Sequence, residues 1–391
     1  MSARRCGVRR VAATVAAVLA LGWAAGPADA APKPGQGTPI TVMTRNIYLG
    51  GDITRPLTAT AGKTGGEALV AFGNANHALR GVVSQTDFPA RSKLLAREVA
   101  ATEPDMIGLQ EVALWRSGPM QLAAIGVSNA TTVDYDFLAT LLADLAAIGE
   151  PYVAVNVQEE SDVEGPSFLG NPFAGTMSDA SDVRLTMRDV LLKRADDRVR
   201  VLASGGGHYA ARLPFSVAEV TFQFIRGYNW ADVRVGAKTL RVVNTHLESQ
   251  FSFLALAQAR ELFAGAARVP GQEVVVLCDC NSDPLNHTTK PGDPTPHSAP
   301  YDFMTGPGGF TDEWLQFAPA DQGWTSGLSE FVNDPDTSQI DHRIDLVLAR
   351  GADGQALPAD QGRIVGVDPA NRSATGLWPS DHAGVVLRLR P

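Results

Sequence analysis

Acidic, amide and histidine side chains follow several apolar runs in this sequence, where they could act together in catalysis. The set comprises Asn46 after ITVMTR, Glu111 after MIGLQ, His246 after LRVVNT, Asp279 and Asn281 in LCDCN, Asp345 in RIDLVL, and Asp381 and His382 in PSDH. A single Asp or Asn at a strand end is most often a turn or capping residue. The repetition of such groups at several strand ends is what indicates a site.

These side chains contain every group that metal-assisted hydrolysis of a phosphoester requires. A hard cation such as Mg²⁺ prefers carboxylate and amide oxygens, and usually takes only one or two ligands from the protein. Breaking a P–O bond also needs a base that activates water, an acid for the leaving oxygen, and donors for the charge on the phosphoryl oxygens. Two histidines, several carboxylates and two asparagines can fill these roles.

The apolar runs that carry these groups resemble strands, and helical patterns lie between some of them. Helices are predicted over Ala90–Thr102, Asp134–Ile148 and Phe253–Ala267. Strands are predicted over Ile40–Arg45, Met106–Val112, Tyr152–Val157, Asp189–Lys193, Val217–Ile225, Leu240–Thr245, Glu273–Cys278, Arg343–Ala349 and Gly384–Leu389. The Gly/Pro-rich stretches Gly165–Gly175 and Pro291–Pro300 are predicted to be loops. Because strands outnumber helices, a layered α/β protein with mixed sheets is expected.

The N-terminus has the three-part layout of a secretory signal peptide. Four arginines lie in the first ten residues, an uncharged run follows from Val11, and the small residues ADA end at Ala30. The apolar run is shorter than the roughly 18 residues that a membrane-spanning helix needs. Residues 1–30 are therefore predicted to be a signal peptide cleaved near Ala30, and the mature protein is expected outside the cell.

Charge and length limit the possible classes of protein. The chain has 391 residues and a net charge of −9, and loss of its first 30 residues, with four arginines and one aspartate, would change the charge to −12. An acidic chain without a basic run is not typical of a dedicated nucleic-acid binder, although a bound cation can supply positive charge in a nuclease. No repeat or Ser/Pro linker divides residues 31–391, so we expect a single domain. No obligate protein partner is evident.

Six segments, in order along the chain, resemble the motifs of the endonuclease/exonuclease/phosphatase superfamily, which includes pancreatic-type deoxyribonuclease, abasic-site endonucleases, inositol polyphosphate phosphatases and neutral sphingomyelinases. They are TRNIYLG (Thr44–Gly50), IGLQEV (Ile107–Val112), NTHLES (Asn244–Ser249), LCDCNSDP (Leu277–Pro284), RIDLVL (Arg343–Leu348) and WPSDHAGV (Trp378–Val385). Each motif is weak alone, but six in order are specific. The resemblance implies a four-layer α/β sandwich, two packed mixed β-sheets flanked by helices, with the site at one edge.

The resemblance also implies a metal and a set of ligands. Glu111 corresponds to the principal Mg²⁺ ligand, and Asn46 would lie beside the metal. Asp381 is a further candidate for a second metal or its water shell. Mn²⁺ or Ca²⁺ could replace Mg²⁺ in such a site. Asp189, in the strand MRDVLL, is implied to reach the phosphate from the centre of the sheet.

The remaining residues take acid, base and phosphate-binding roles by the same resemblance. His246 would protonate the leaving oxygen. Asp279 would orient or help to deprotonate the attacking water, and Asn281 would hold a phosphate oxygen. His382 would serve as a base or phosphate clamp, oriented by Asp345.

The segment LCDCNSDP departs from the family pattern, which usually has Gly before this Asp and a bulky apolar residue after it. Cys278 and Cys280 are two residues apart on a strand, so both should point away from the face that carries Asp279. Free cysteines are commonly buried, and we expect two thiols packed behind the site. A C-x-C disulfide stays open in an exported protein, whereas thiolate metal binding without a further Cys or His pair nearby is disfavoured.

The resemblance defines the reaction better than the substrate. Export, net acidity and the lack of basic runs favour a phospholipid at a membrane surface, as in a sphingomyelinase or related phospholipase, and the alternative is an extracellular nuclease acting on DNA or RNA. The apolar loops Ser167–Met177 and Ser249–Ala257 either rim the site and enter a lipid surface or pack into the core. A non-catalytic binding module is disfavoured because no core site position is missing.

Overall fold

The computed structural model describes residues 37–125, 127–217 and 220–391, so the predicted signal peptide lies outside the described residues. The strands are β1 (Ile40–Asn46), β2 (Met106–Gln110), β3 (Leu114–Gly118), β4 (Thr132–Asp136), β5 (Tyr152–Leu169), β6 (Ser178–Arg194), β7 (Val199–His208), β8 (Leu213–Val217), β9 (Val220–Phe224), β10 (Gly227–Val235), β11 (Lys238–His246), β12 (Glu273–Asp279), β13 (Thr311–Asp312), β14 (Asp345–Arg350), β15 (Ala359–Val365) and β16 (Gly384–Leu389). The helices are α1 (Arg55–Ala59), α2 (Gly65–Gln85), α3 (Phe88–Thr102), α4 (Phe137–Ala147), α5 (Ser252–Ala264), α6 (Ala299–Thr305) and α7 (Glu313–Phe317).

Two large mixed sheets dominate the fold. The first has the order β15-β16-β1-β2-β6-β3-β4, with β5 also paired to β6, and the second has the order β13-β14-β12-β11-β10-β7. β1 and β2 are parallel, as are β11 and β12. Because neighbouring parallel strands end at the same edge of a sheet, these pairs bring their final residues together.

Three apolar cores separate four layers of helices and sheets, as the resemblance to the family implied. The core between the sheets contains Val42 of β1, Val242 of β11 and Val275 of β12. Helices α2, α3 and α4 cover the outer face of the first sheet, and α5 covers the outer face of the second. The central strands are buried on both faces, which explains their almost continuous apolar sequence. Within the described residues, no helix is both long and apolar enough to span a bilayer.

Helix α2 was missed by the sequence patterns because glycine and asparagine, which usually indicate loops, interrupt its sequence GGEALVAFGNANHALRGVVSQ. The structure gives one of these residues a packing reason. A Cβ atom at Gly73 would lie 2.3 Å from ring atoms of Phe168, so only glycine allows this close approach.

Several other boundaries differ from the predictions. The segment predicted as one strand over Val217–Ile225 is half of a separate hairpin, β8–β9. The stretch predicted as a loop from Gly165 begins within β5, which continues to Leu169. These errors arise because pairing with the long strand β6 extends β5 through residues that have little strand propensity of their own.

Cys278 and Cys280 are fully buried on the side of the second sheet that faces α5, as expected. Their oxidation state was left open by the sequence, and the structure joins them in a disulfide with a Cα–Cα separation of 5.1 Å. Strand β12 ends at Asp279, and the two Cα atoms are therefore closer than the roughly 6.6 Å expected in a continuing strand. The local sequence does not reveal this bend.

A buried arginine holds together the loops that border the site. The guanidinium of Arg91, on α3, donates hydrogen bonds to the carbonyl oxygens of Thr86, Ile47, Tyr48 and Pro379 at 2.7 to 3.0 Å. Burial lowers the pKa of Arg91 to about 10, so the side chain remains charged at neutral pH. These bonds link the loop after β1 to the segment just before Asp381.

Candidate active site

The ends of five strands bring most of the predicted site residues together. Asn46 ends β1, and its partner Gln110 in β2 precedes Glu111. In the second sheet, Asp279 pairs with both His246 and Asp345. The side-chain amide of Asn46 donates to Asp279 Oδ2 at 2.9 Å, which joins the two sheets at this edge.

His382 lies in an acidic environment. Its Nδ1 is 2.8 Å from Asp345 Oδ2, and its Nε2 is 3.9 Å from Asp279 Oδ2 and 4.0 Å from Asp381 Oδ1. Burial by itself would lower the pKa of His382, but the carboxylates of Asp345, Asp381 and Asp279 together raise it well above its usual value. These carboxylates therefore favour the charged imidazolium form of His382, whose Nδ1 contacts Asp345.

His246 lies in the opposite electrostatic environment. Arg226 Nη1 is 2.8 Å from His246 Nδ1, and because a guanidinium can only donate, Nδ1 must accept. The proton of the neutral ring is then on Nε2, which lies 3.4 Å from Asp279 Oδ2. Burial, with the charges of Arg226 and His382, lowers the pKa of His246 well below its usual value.

Asp279 lies between the two histidines. Its Oδ1 accepts from the backbone N–H of Asn281 at 3.1 Å. Burial and then Asp345 raise the pKa of Asp279 to about 7, against the opposing effects of His382 and Asn46. A carboxylate with a pKa near neutrality is suited to exchanging a proton with water. Asn281 has a positive φ of 44°, which asparagine tolerates better than most residues.

The predicted metal ligands Glu111 and Asp381 both line a cleft of about 310 Å³. Glu111 has a left-handed backbone with φ of 59°, and its Oε2 accepts from the backbone N–H of Leu49 at 2.9 Å. Burial, together with the nearby charge of Glu111, raises the pKa of Asp381 to about 6. Two carboxylates that repel each other beside an open cleft fit a divalent cation.

Asn46 fits a direct ligand role less well, since its Oδ1 already accepts from the backbone N–H of Tyr48 at 2.8 Å. A second group could hold a cation within the described residues, because ligand atoms of Asp279, Asp345 and His382 lie within 4.8 Å of one another. In that group, however, His382 Nδ1 is committed to Asp345.

Asp189 is buried and is not among the residues that line the cleft. Burial raises its pKa to about 7, against the charge of Arg226. The neighbouring Glu160 is also buried, and its pKa is raised well above the usual value by burial and by Asp189. The proposed contact of Asp189 with phosphate stays a prediction, and the structure places its carboxylate near Arg226.

Sequence reasoning missed Arg226, which lines the cleft and contacts His246. It also missed Glu248, whose carboxylate lies 3.9 Å from the Arg226 guanidinium. A signal for Arg226 was present, because it follows the apolar run TFQFI in the same way that the predicted residues follow their strands.

The two predicted apolar loops differ in their relation to the cleft. Ser249 and Gln250 line it, and Phe253, a short distance along the chain, is 43% exposed. In the other loop Phe168 is fully buried, whereas Phe173 is 66% exposed.

Comparison with known proteins agrees with this architecture. The model of the Endonuclease/Exonuclease/phosphatase family matches residues 74–382. The chain belongs to this family. No curated protein matches it by sequence.

Solved structures of the endonuclease/exonuclease/phosphatase family share the fold at low identity. A family protein from Leptotrichia buccalis is 13% identical, with a TM-score of 0.50 over 90% of this chain and 99% of the other. A family protein from Bacteroides thetaiotaomicron is 15% identical, with a TM-score of 0.50 over 91% and 98%. D. rerio TDP2, in complex with a single-strand DNA product, is 16% identical, with a TM-score of 0.50 over 90% and 99%.

As a family member, the chain is a phosphoester hydrolase, and such enzymes typically depend on a divalent metal. A cation held by Glu111 and Asp381 would neutralise charge on the phosphoryl oxygens. Around it, the His382 imidazolium can donate to a phosphoryl oxygen or give up a proton. His246 can donate its Nε2–H, and Asp279 can accept a proton from water. The neutral state of His246 fits a hydrogen-bond donor better than the proton donor implied by resemblance.

Proposed function

We propose that this protein is an exported, Mg²⁺-dependent phosphodiesterase that hydrolyses a phosphoester of a phospholipid, in the manner of a sphingomyelinase or related phospholipase. The lining of the cleft carries this proposal. In addition to Glu111 and Asp381 it contains Asp52, Glu248 and Glu330, while Arg226 is the one lysine or arginine among the lining residues. A nucleic acid gains much of its affinity from basic contacts to its phosphates, which are few in this cleft.

A phospholipid fits the acidic lining better than a polyanion does. The diester phosphate of a choline or ethanolamine lipid carries one negative charge, and a cationic group lies a few bonds away. Arg226 and a bound cation can meet the phosphate, while Asp52 can attract the cationic head group, since the Glu330 carboxylate is already paired with Arg55. The N-terminal signal pattern supports a location where such lipids are accessible from outside the cell.

The segment that follows the cleft residues Ser249 and Gln250 supports contact with a lipid surface. Phe253 lies in the first turn of α5 and is 43% exposed, and its ring lies 5.5 Å from that of Phe251. Exposed aromatic side chains beside a site are typical of proteins that enter a membrane interface. Phe253→Ser is expected to reduce turnover on vesicles severalfold and to leave turnover of a soluble diester unchanged. Equal effects on both substrates would contradict this role.

An extracellular nuclease is the second candidate. It is favoured by the fold shared with D. rerio TDP2, whose structure holds a single-strand DNA product. Exposed phenylalanines can also stack on bases. The excess of cleft carboxylates weighs against this candidate.

Parallel assays on phosphatidylcholine and sphingomyelin vesicles, plasmid DNA and RNA would separate the two functions. We expect release of a phosphorylated head group or its alcohol from a lipid, and no nucleic-acid cleavage above that of the Glu111→Gln variant. EDTA should abolish turnover, and Mg²⁺ should restore it. DNA or RNA cleavage without lipid turnover would exclude the phospholipid proposal and leave the phosphodiesterase intact.

A further inference from the structure

An apolar cavity of about 60 Å³, here called the slot, lies beside the cleft. The hairpin β8–β9 forms one wall through Phe215, Phe222 and Phe224. Helices α1 and α2 form the opposite wall, and apolar residues of β3, β5 and β6 also line it. The proposed reaction does not use this cavity.

The slot and the cleft are adjacent. Ile53 and Phe224 line both. Along β6, Val183 and Leu185 line the slot and Met187 lines the cleft. Alternate residues of a strand are about 6.6 Å apart, so a molecule whose phosphate lies in the cleft could extend into the slot within a few bonds.

The lining of the slot suits hydrocarbon. Its hydrogen-bonding side chains are Asn76, Glu164 and Trp115, and all three are engaged within the protein. The indole N–H of Trp115 donates to the carbonyl oxygen of Leu49 at 2.9 Å. The amide of Asn76 donates to the carbonyl oxygen of Pro166 at 3.0 Å, and the Glu164 carboxylate accepts from the backbone N–H groups of Asn129 and Ala130 at 2.7 and 2.8 Å. A sugar or base would leave its polar groups without partners there, whereas an alkyl chain has none to satisfy.

The hairpin presents an apolar face to this space. Phe215 is paired with Phe222 across the two strands, and the ring of Phe215 lies 5.2 Å from that of Phe222 and 4.7 Å from that of Phe224. All three rings are only half-buried, whereas Ser216, Thr221 and Gln223 between them are exposed. An isolated two-stranded hairpin is marginally stable, so contact with a further apolar group would stabilise both.

We propose that the slot binds the hydrocarbon chain next to the reacting phosphate, and so selects amphiphilic substrates. This inference rests on the proposed function and names a subsite for it. A cavity of about 60 Å³ admits only a short stretch of chain, and the rest of the chain remains outside. The slot therefore recognises the start of the chain and is insensitive to its full length.

Binding of small phosphocholines tests the slot without requiring catalysis. In EDTA, calorimetry would compare phosphocholine with its ethyl, butyl and hexyl esters, which are monomeric at the concentrations used. Each buried methylene contributes about 0.8 kcal/mol, or roughly fourfold in affinity. We expect affinity to rise about tenfold from phosphocholine to the butyl ester and then to level off.

Two variants test whether the dependence of affinity on chain length arises in the slot. Phe222→Ala removes one wall, and Leu57→Trp on α1 fills the space with another apolar side chain. Each should bring the butyl ester to within about twofold of phosphocholine. Gln223→Ala, on the exposed face of the same strand, is the matched control and should behave as the wild type.

Equal affinity of the wild type for all these ligands would overturn the proposal, as would an unchanged chain dependence in both slot variants. Tighter binding of thymidine 5′-phosphate than of the butyl ester, lost in Phe222→Ala, would also overturn it and identify a base-stacking site. Chain-dependent binding without vesicle hydrolysis would instead leave the slot intact and contradict the phospholipid function.

Discussion

His246 and His382 lie on opposite sides of Asp279, and their surroundings differ in the sign of charge. Burial and then the charge of Arg226, which donates to the ring, lower the pKa of His246, whereas three carboxylates raise the pKa of His382 against the opposing effect of burial. Identical side chains at two strand ends thus have different chemistry. The difference comes from the residue that contacts each Nδ1: a guanidinium that can only donate, or a carboxylate that can only accept.

The largest expected effect on kcat comes from substitution of His382. His382→Ala should lower kcat by about 10² to 10⁴, because the variant loses a positioned group that can transfer a proton. His382→Gln should be no better, since an amide donates a hydrogen bond but does not transfer a proton. Steady-state assays on a soluble phosphodiester would measure both, and near-wild-type turnover of the Gln variant would remove proton transfer from the role of His382.

Substitutions of His246 should have a different effect on kcat from those of His382. His246→Ala should lower kcat by about 10², as expected for loss of one hydrogen-bond donor to developing charge. His246→Gln should recover part of that loss, because its amide N–H can take the place of Nε2–H. If Gln restores nothing while the folded state is intact by circular dichroism, the two histidines do not differ in the way that their environments indicate.

Asp345→Asn tests the charged state of His382 through stability. The folded pKa of His382 is above its unfolded value of about 6.5. Its stabilisation is therefore fully present below pH 6.5 and is lost as the pH rises through the folded pKa. The variant should lose about 2 kcal/mol in unfolding free energy at pH 6, and less at alkaline pH.

Urea unfolding of the wild type and Asp345→Asn, at pH 6 and pH 9.5, would measure this difference. In a His382→Gln background the pH dependence of the Asp345→Asn effect should become smaller but not vanish, because Asp345 also raises the pKa of Asp279. A pH-independent loss in the wild-type background would contradict a charged His382.

The smallest effect is expected at Arg226, which acts on substrate and on His246. Arg226→Met should lower kcat/KM by about tenfold and raise the pKa of His246, because a neighbouring positive charge is removed. Nitrogen NMR of labelled histidine would show the His246 proton on Nε2 in the wild type. Arg226→Lys should restore part of the activity, and a wild-type His246 spectrum in Arg226→Met would exclude the proposed contact.

Much of the fold was predictable because the central strands are buried on both faces and have nearly continuous apolar sequences. The strand ends at Asn46, Glu111 and His246 were located by the same pattern. Helix α2 was not predicted, since its glycines are justified only by contact with Phe168 in β5. Of the separate hairpin β8–β9, only the second strand was predicted, and its pairing with β8 was not, because apolar composition does not specify the partner strand.

The site residues, like the elements of the fold, were predicted only in part. The residue types and their order along the chain identified Asp279, Asn281, Asp345 and His382 as a set. The sequence left the oxidation state of Cys278 and Cys280 open, because it depends on where β12 ends and the chain bends. Arg226 also follows an apolar run, but the sequence does not indicate that it meets His246, 20 residues away along the chain.

The sequence by itself determined a layered α/β protein and the groups available for phosphoester hydrolysis, because both depend on local pattern and side-chain chemistry. Only the tertiary structure decided which histidine is charged and which is neutral. It also placed an apolar slot next to an acidic cleft. Protonation and cavities depend on which distant residues meet in low-dielectric surroundings, and chain order does not specify those contacts.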